Sequence, residues 1–355
     1  MNPSSPRLAS LDQFRGYTVA GMFLVNFLGG YDATPALLRH HNTWCSYADT
    51  IMPQFFFAVG MALRLVTQRE TQQHGRSRAL RRGGKRGLLL VLIGFLWYHP
   101  GRDFSTSAEL TGTPARPLLR DLFLTNAFQA LTHIGVVTLW VLPVMTCGWR
   151  VRTAFALGSA ALHLWWSHAF WYQTLHEWHV IDGGPLGFLT WTLPVVAGST
   201  AYDAVKASGP GLLRRLGSWA AGLMAAGYAL ACATQGGNPA APPFMAPWHA
   251  PDLWTMSQKA GSVSYLLFAS GFSLVAYAFF VFWTDRRGCV WSVFSTLGQN
   301  ALAAYLIHMV VLGFLGHVAP RDAPLWYALT LSAIGCLLSL WAVQWCNARK
   351  LILRL

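Results

Sequence analysis

Long apolar stretches, nearly free of charge, recur along this chain near Tyr17–Gly29, Tyr47–Val66, Gly87–Trp97, Leu122–Met145, Ala154–Trp171, Leu186–Tyr202, Leu212–Thr234, Val263–Trp283, Val293–Leu315 and Leu325–Cys346. A hydrocarbon core of ~30 Å takes roughly 20 apolar residues of helix, and most of these stretches come close to that length. The third and sixth are short. Only 11% of the 355 residues are charged and 54% are hydrophobic, whereas soluble chains carry about a quarter charged. The pattern predicts an all-α, polytopic transmembrane bundle of about ten helices forming one domain over residues 1–355, because no connection is long enough to hold a soluble domain. The first stretch follows Arg7 and Arg15 but leads to no small-residue cleavage pattern, so it reads as an anchoring helix and not a cleaved signal.

A net charge of +13 would suggest a nucleic-acid partner in a soluble protein, but here the charges sort by loop. With ten spans and a cytoplasmic N-terminus, only Arg39, Arg102, Arg116, Arg120, Lys259 and Arg321 of the 26 Lys and Arg fall outside. That bias predicts cytoplasmic N- and C-termini and an even number of spans. The segment Thr67–Arg86 reads as a basic inner loop with Glu70 as its only acid, suited to orientation and anionic headgroups or to an anionic ligand. The outer segments carry His40, His41, His99, His176, His179, His249 and His317. Cys45 alone among six cysteines lies clearly outside and no C-x-x-C occurs, so neither a disulfide framework nor a cysteine zinc site is expected.

Polar side chains inside a bilayer are expensive, so each needs a partner or a function. Asn26 stands eleven residues beyond Arg15, ~16 Å along a helix, near the midplane or just past it. Asp49 lies near the outer end of the second stretch, four residues before Pro53. Proline has no N–H, so the Asp49 carbonyl is left without its helical donor and available to another group. His40 and His41 close the loop between these two helices, where an imidazole can exchange a proton at neutral pH. Gly298-Gln299-Asn300 opens the ninth stretch and Tyr305 and His308 follow, a set that fits interhelical hydrogen bonding as well as a site.

Other constellations carry less. His176-Glu177-Trp178-His179 is one residue short of H-E-x-x-H, so helical spacing is lost and no metal is expected. His133, His163 and His168 suit either a proton relay or structural pairing.

Ser10-Leu11-Asp12-Gln13-Phe14-Arg15-Gly16, Val25-Asn26, His41-Asn42-Thr43-Trp44, Ala48-Asp49 and Pro53, followed late in the chain by Thr296-Leu297-Gly298-Gln299-Asn300-Ala301-Leu302 and Tyr305, are similar to the heparan-alpha-glucosaminide N-acetyltransferase family of transmembrane acyltransferases. The middle segment Asp182-Gly183-Gly184-Pro185-Leu186-Gly187-Phe188 looks like that family's bacterial branch. The resemblance implies an Asn in the first helix and a His in the next outer loop as the catalytic pair, mapping to Asn26 and His41, with acyl-CoA entering from the cytosol. The interval between them is longer than the family's pattern, His40 competes for the role, and Cys45-Ser46 departs from it.

The expected chemistry is transfer of an acyl group, most simply acetyl, from acyl-CoA to an amine or hydroxyl of an extracytoplasmic sugar or glycan. His41 acts as base or acyl carrier, Asn26 as oxyanion donor and Asp49 as its orienting group. Arg64, Arg82 and Arg86 are the candidates for the CoA phosphates, with no metal required. Asp12, Arg15, His40, Trp44, Asn300, Tyr305 and His308 are further substrate or structural positions. A bacterial inner membrane is the implied location, with lipids, acyl donor and glycan as partners, no nucleic acid, and a homodimer left open. On the residues alone, a transporter or a non-catalytic glycan- or lipid-binding membrane protein stays open too. A transporter would usually show two related halves, and none is visible.

Overall fold

The computed structural model describes residues 8–41, 43–98, 111, 112, 114, 127–177, 180–234 and 239–351. Asn42, His99, Arg102, Arg116, Arg120, Trp178 and His179 lie outside the described residues. The described chain is helical: α1 (Ala9–Leu28), α2 (Tyr47–His74), α3 (Arg76–Trp97), α4 (Ala130–Val141), α5 (Trp149–Trp166), α6 (Phe188–Ala207), α7 (Leu212–Ala231), α8 (Val263–Phe280), α9 (Ser292–Gln299), α10 (Ala301–Gly316) and α11 (Leu325–Ala348). These helices fall on the ten apolar stretches, with α9 and α10 together making the ninth.

Three of them, α2, α11 and α8 extended through Arg286, are long and apolar enough to cross a membrane by length and composition; α9 and α10 make a fourth if taken as one span bent by 92°. The lipid-facing character of the bundle shows on its outer helices. Leu96, Phe314, Trp326, Leu337 and Trp341 are each 64–75% exposed, a scatter of large apolar side chains that water would penalise and acyl chains would not. An integral membrane helical bundle is the architecture.

Two stretches that look short in sequence are full helices, because α3 begins at Arg76 and α6 runs on to Ala207. The segment Thr67–Arg86 is correspondingly not a loop. α2 continues to His74, Gly75 turns the chain at φ 83°, and α3 starts at the next residue. Arg and Lys are good helix formers and their stems cover neighbouring apolar surface, so charge marks where the helices leave the hydrocarbon, not where they stop.

α1, α2, α6 and α8 form the centre, and the remaining helices pack around them. Two backbone-to-backbone seams fix this centre. A Cβ on Gly60 of α2 would fall on the Val195 carbonyl of α6, and one on Gly198 of α6 would fall on the Phe57 carbonyl of α2. Gly16 of α1 and Gly298 of α9 stand in the same reciprocal relation through Phe294 and Asp12. Close approach without side chains is how membrane helices gain packing energy when no hydrophobic force separates them from lipid. Phe14, Phe57 and Tyr277 fill the space beside these seams, with ring centroids 5.6–5.8 Å apart.

The motif around Gly16 divides by face. Gln13 is buried and its amide ties down the start of α9, donating to the Trp291 carbonyl at 3.1 Å and accepting from the Trp291 N–H at 3.0 Å. Ser10 bonds Tyr277 and Asp285. Asp12 and Arg15 form a loose pair at 4.0 Å.

Candidate functional site

Ser46 and Asp49 start α2 with a reciprocal capping box: the Ser46 hydroxyl accepts from the Asp49 N–H at 3.3 Å, and Asp49 Oδ2 accepts from the Ser46 N–H at 2.9 Å. The cap buries the carboxylate completely and fixes its rotation. The second oxygen, Oδ1, is then aimed at His40 and meets its Nδ1 at 2.9 Å. An ionised carboxylate only accepts, so Nδ1 carries the proton and Nε2 is the free nitrogen of the neutral ring.

The Asp49 carbonyl, freed by Pro53, accepts the Tyr265 hydroxyl of α8 at 2.5 Å. The predicted vacancy at that carbonyl is therefore filled from a helix more than 200 residues away. Backbone and side chain of Asp49 are both committed, and His40 is held by a group that cannot easily move.

His41 is placed differently. Its Nε2 donates to the Ala36 carbonyl at 2.7 Å and its ring stacks on Trp44 at 4.0 Å, so Trp44 and His41 brace the loop while His40 receives the carboxylate. Only a backbone contact, the His41 N–H to Asp49 Oδ2 at 3.4 Å, links His41 to Asp49.

Two residues that sequence reasoning left out complete the cluster. Asp182, almost fully buried, accepts from Gln258 Nε2 at 2.8 Å, and the Gln258 side chain lies within reach of the His40 ring. Asp182-Gly183-Gly184 belongs to the middle segment that carries the family resemblance, and φ at these residues is 55°, 78° and 57°. What sequence could not show is that the Gly183 N–H bonds the Lys259 carbonyl at 2.9 Å, lacing this turn to the loop that carries Gln258.

The His40 ring is open to solvent over 46% of its side-chain surface, yet protein surrounds most of it. That burial works against protonation, but the hydrogen bond and charge of Asp49, the charge of Asp182 and the Gln258 amide outweigh it and raise the His40 pKa. Burial pushes the Asp182 carboxyl up to about 6, opposed by Gln258 and His40.

Asn26 sits in a second polar string. Its Nδ2 is 3.0 Å from His308 Nε2, and His308 Nδ1 is 2.5 Å from the Tyr305 carbonyl. A carbonyl can only accept, so the His308 proton is on Nδ1 and Asn26 donates to Nε2, keeping one amide N–H in reserve. The Tyr305 hydroxyl continues to the Tyr98 hydroxyl. Asn26 also lines an apolar cavity of about 190 Å³ with Phe27, Leu312, Leu331 and Ser332, rimmed by Arg321. His40, His41 and Asp49 do not line it. Asn300 stands apart, bonding Thr296 and Asn347 at the bend between α9 and α10.

At the opposite, basic end, Arg64 bonds Asp203 at 2.9 Å, and buried Arg152 shares the same carboxylate. Arg82 pairs with Glu70. Arg86 makes no ion pair among the described residues and faces Arg15. His133, His163 and His168 share no hydrogen bond with one another; His163 bonds Ser167 at 3.3 Å and His168 is exposed.

The family model for the catalytic region of heparan-alpha-glucosaminide N-acetyltransferase matches residues 7–189, just over half of the chain. The chain belongs to that family. It is a membrane acetyltransferase by descent, and the matched segment holds Asn26, His40, His41, Asp49 and Asp182. Gln258, Tyr265, Tyr305 and His308 lie beyond the match and are brought to it by the fold. Comparison with curated proteins finds no match.

Proposed function

We propose that this member of the family transfers an acetyl group from acetyl-CoA, entering at the basic end of the bundle, to an amine or hydroxyl of a sugar at the α1–α2 end. The charge asymmetry of the loops supports the basic end as cytoplasmic and the His40 end as extracytoplasmic, in a bacterial inner membrane. The observation that carries the reading is the capped, fully buried Asp49 holding His40 Nδ1 and leaving Nε2 free. This is the arrangement a general base needs.

In the reaction, the acceptor nitrogen or oxygen attacks the thioester carbon while His40 Nε2 takes its proton. The resemblance implies Asn26 as the donor to the developing oxyanion, a role worth about 3 kcal/mol in comparable sites. That role requires the Asn26 cavity, not lined by His40 or Asp49, to open to the His40 cluster when substrate binds. The carbon–sulfur bond then breaks and the proton returns to the CoA thiolate, giving free thiol and acylated acceptor. The resemblance points to His41, but the hydrogen bond from Nδ1 to the buried Asp49 carboxylate supports His40. Arg86, with Arg15 beside it, is the favoured phosphate contact, because Arg64 and Arg82 are already neutralised by Asp203 and Glu70.

The test is purified protein in detergent with labelled acetyl-CoA and a panel of amino sugars, comparing wild type with His40→Ala, His41→Ala and Asn26→Ala. Loss of transfer in His40→Ala and Asn26→Ala with retention in His41→Ala is expected. Equal activity in all four proteins would sink the assignment.

A further inference from the structure

The far side of the His40 ring poses a separate question. Asp49 accounts for Nδ1. Within reach of the ring is an amide whose own hydrogen bonding is half complete: Gln258 Nε2 donates to Asp182 at 2.8 Å, while Gln258 Oε1 is buried and has no hydrogen-bond partner among the described residues. A buried acceptor without a donor costs about 1–3 kcal/mol, so such a group marks a place where a donor arrives at some stage. The donor within reach is His40 itself once protonated, since an imidazolium carries N–H on both nitrogens.

Asp182 makes the amide point that way. Its carboxylate only accepts, so it selects the NH₂ end of Gln258 and turns the oxygen toward His40. The turn holding Asp182 is built for the purpose. Its backbone adopts φ 55°, its carbonyl accepts the Trp191 indole N–H at 2.8 Å, and Gly183 is pinned to Lys259.

We infer that Asp182 and Gln258 are positioning residues for His40: the Asp182 carboxylate orients the Gln258 amide so that its oxygen dipole faces the ring and stabilises the imidazolium. The inference rests on the reading of His40 as the proton-accepting group, and it adds two residues that act through it. The charged groups that act on the ring are Asp49 from α2 and Asp182 from the facing turn; Arg39 and His41 adjoin it in its own loop, Arg39 being turned toward Asp32 at 3.6 Å.

The experiment reads the ring directly and so does not depend on turnover. Protein labelled with ¹³C at histidine Cε1 is titrated in detergent by NMR, with the His40 resonance assigned by its loss in His40→Gln. In Asp182→Asn the acid dissociation constant of His40 should rise roughly three- to tenfold, because a favourable charge and the amide orientation are both lost. Asn tolerates a left-handed backbone, so the turn should survive. Gln258→Leu should move the constant in the same direction without touching the turn. The double variant should move it no further than the larger single change, since both act through one array. A His40 titration that superimposes on wild type in both single variants overturns the inference. The acetyl-transfer assay separates the two readings. A wild type whose transfer ignores His40→Ala removes the catalytic reading alone, and a His40-dependent enzyme with an unmoved ring titration removes this inference alone.

Discussion

The Tyr265 hydroxyl donates to the Asp49 carbonyl at 2.5 Å, replacing the helical N–H that Pro53 cannot supply. One residue of α2 thus has its backbone held by α8 and its carboxylate held by its own N-cap, and His40 inherits that rigidity. Tyr265→Phe keeps the ring and removes only the donor. It should cost roughly 1–3 kcal/mol, the penalty of a buried unpaired carbonyl. Thermal unfolding in detergent would show a lowered midpoint, and an unchanged midpoint would contradict the role.

Asp49→Asn can still accept the Ser46 N–H and keep the cap, but it no longer offers a charge to His40. Acetyl transfer should fall by roughly 10²–10⁴ in kcat, the span associated with a disabled general base. The KM for acetyl-CoA should hardly move, because the phosphate contacts proposed above lie at the other end. A kcat within a factor of a few of wild type would remove Asp49 from the mechanism.

The pH dependence has a definite sign. As the proposed base His40 would act only when neutral, and its pKa is raised by Asp49, Asp182 and Gln258 against the opposing effect of burial. Activity should therefore rise with pH through a midpoint above the ordinary histidine value of about 6.5. A kcat/KM profile already flat below that value would mean the group being titrated is not His40.

At the basic end, Arg86→Ala should raise the KM for acetyl-CoA roughly ten- to a hundredfold, the equivalent of one charge-assisted hydrogen bond to phosphate. Arg82→Ala, whose guanidinium is paired with Glu70, should change it little. Steady-state kinetics on both variants decides between them, and the reverse order would move the phosphate contact to Arg82.

The α2–α6 seam can be tested away from the chemistry. Gly198→Leu forces a side chain onto the Phe57 carbonyl and should destabilise the bundle by on the order of 3 kcal/mol. Gly222→Leu, with open space around its Cβ, should be silent in the same thermal-inactivation assay.

The helices were legible because hydropathy is a local property: ten apolar stretches became the helices, and Pro53 announced a free carbonyl before its partner was known. Asn26, Asp49, Tyr305 and His308 were legible for a similar reason, since a polar group in lipid has to be accounted for. Helix ends were not, because the basic segment Thr67–Arg86 shows where the chain leaves the hydrocarbon and says nothing about whether the helix stops there. The chain's sequence by itself determined a membrane helix bundle, its family, and a shortlist of polar residues at one end. Only the tertiary structure decided that Asp49 takes His40 and leaves His41 to Trp44, and that Asp182 and Gln258 meet the same ring. Adjacent histidines are equivalent to any pattern read along the chain. They become different only when a capped carboxylate fixes one direction in space and loops from distant parts of the chain supply the other side.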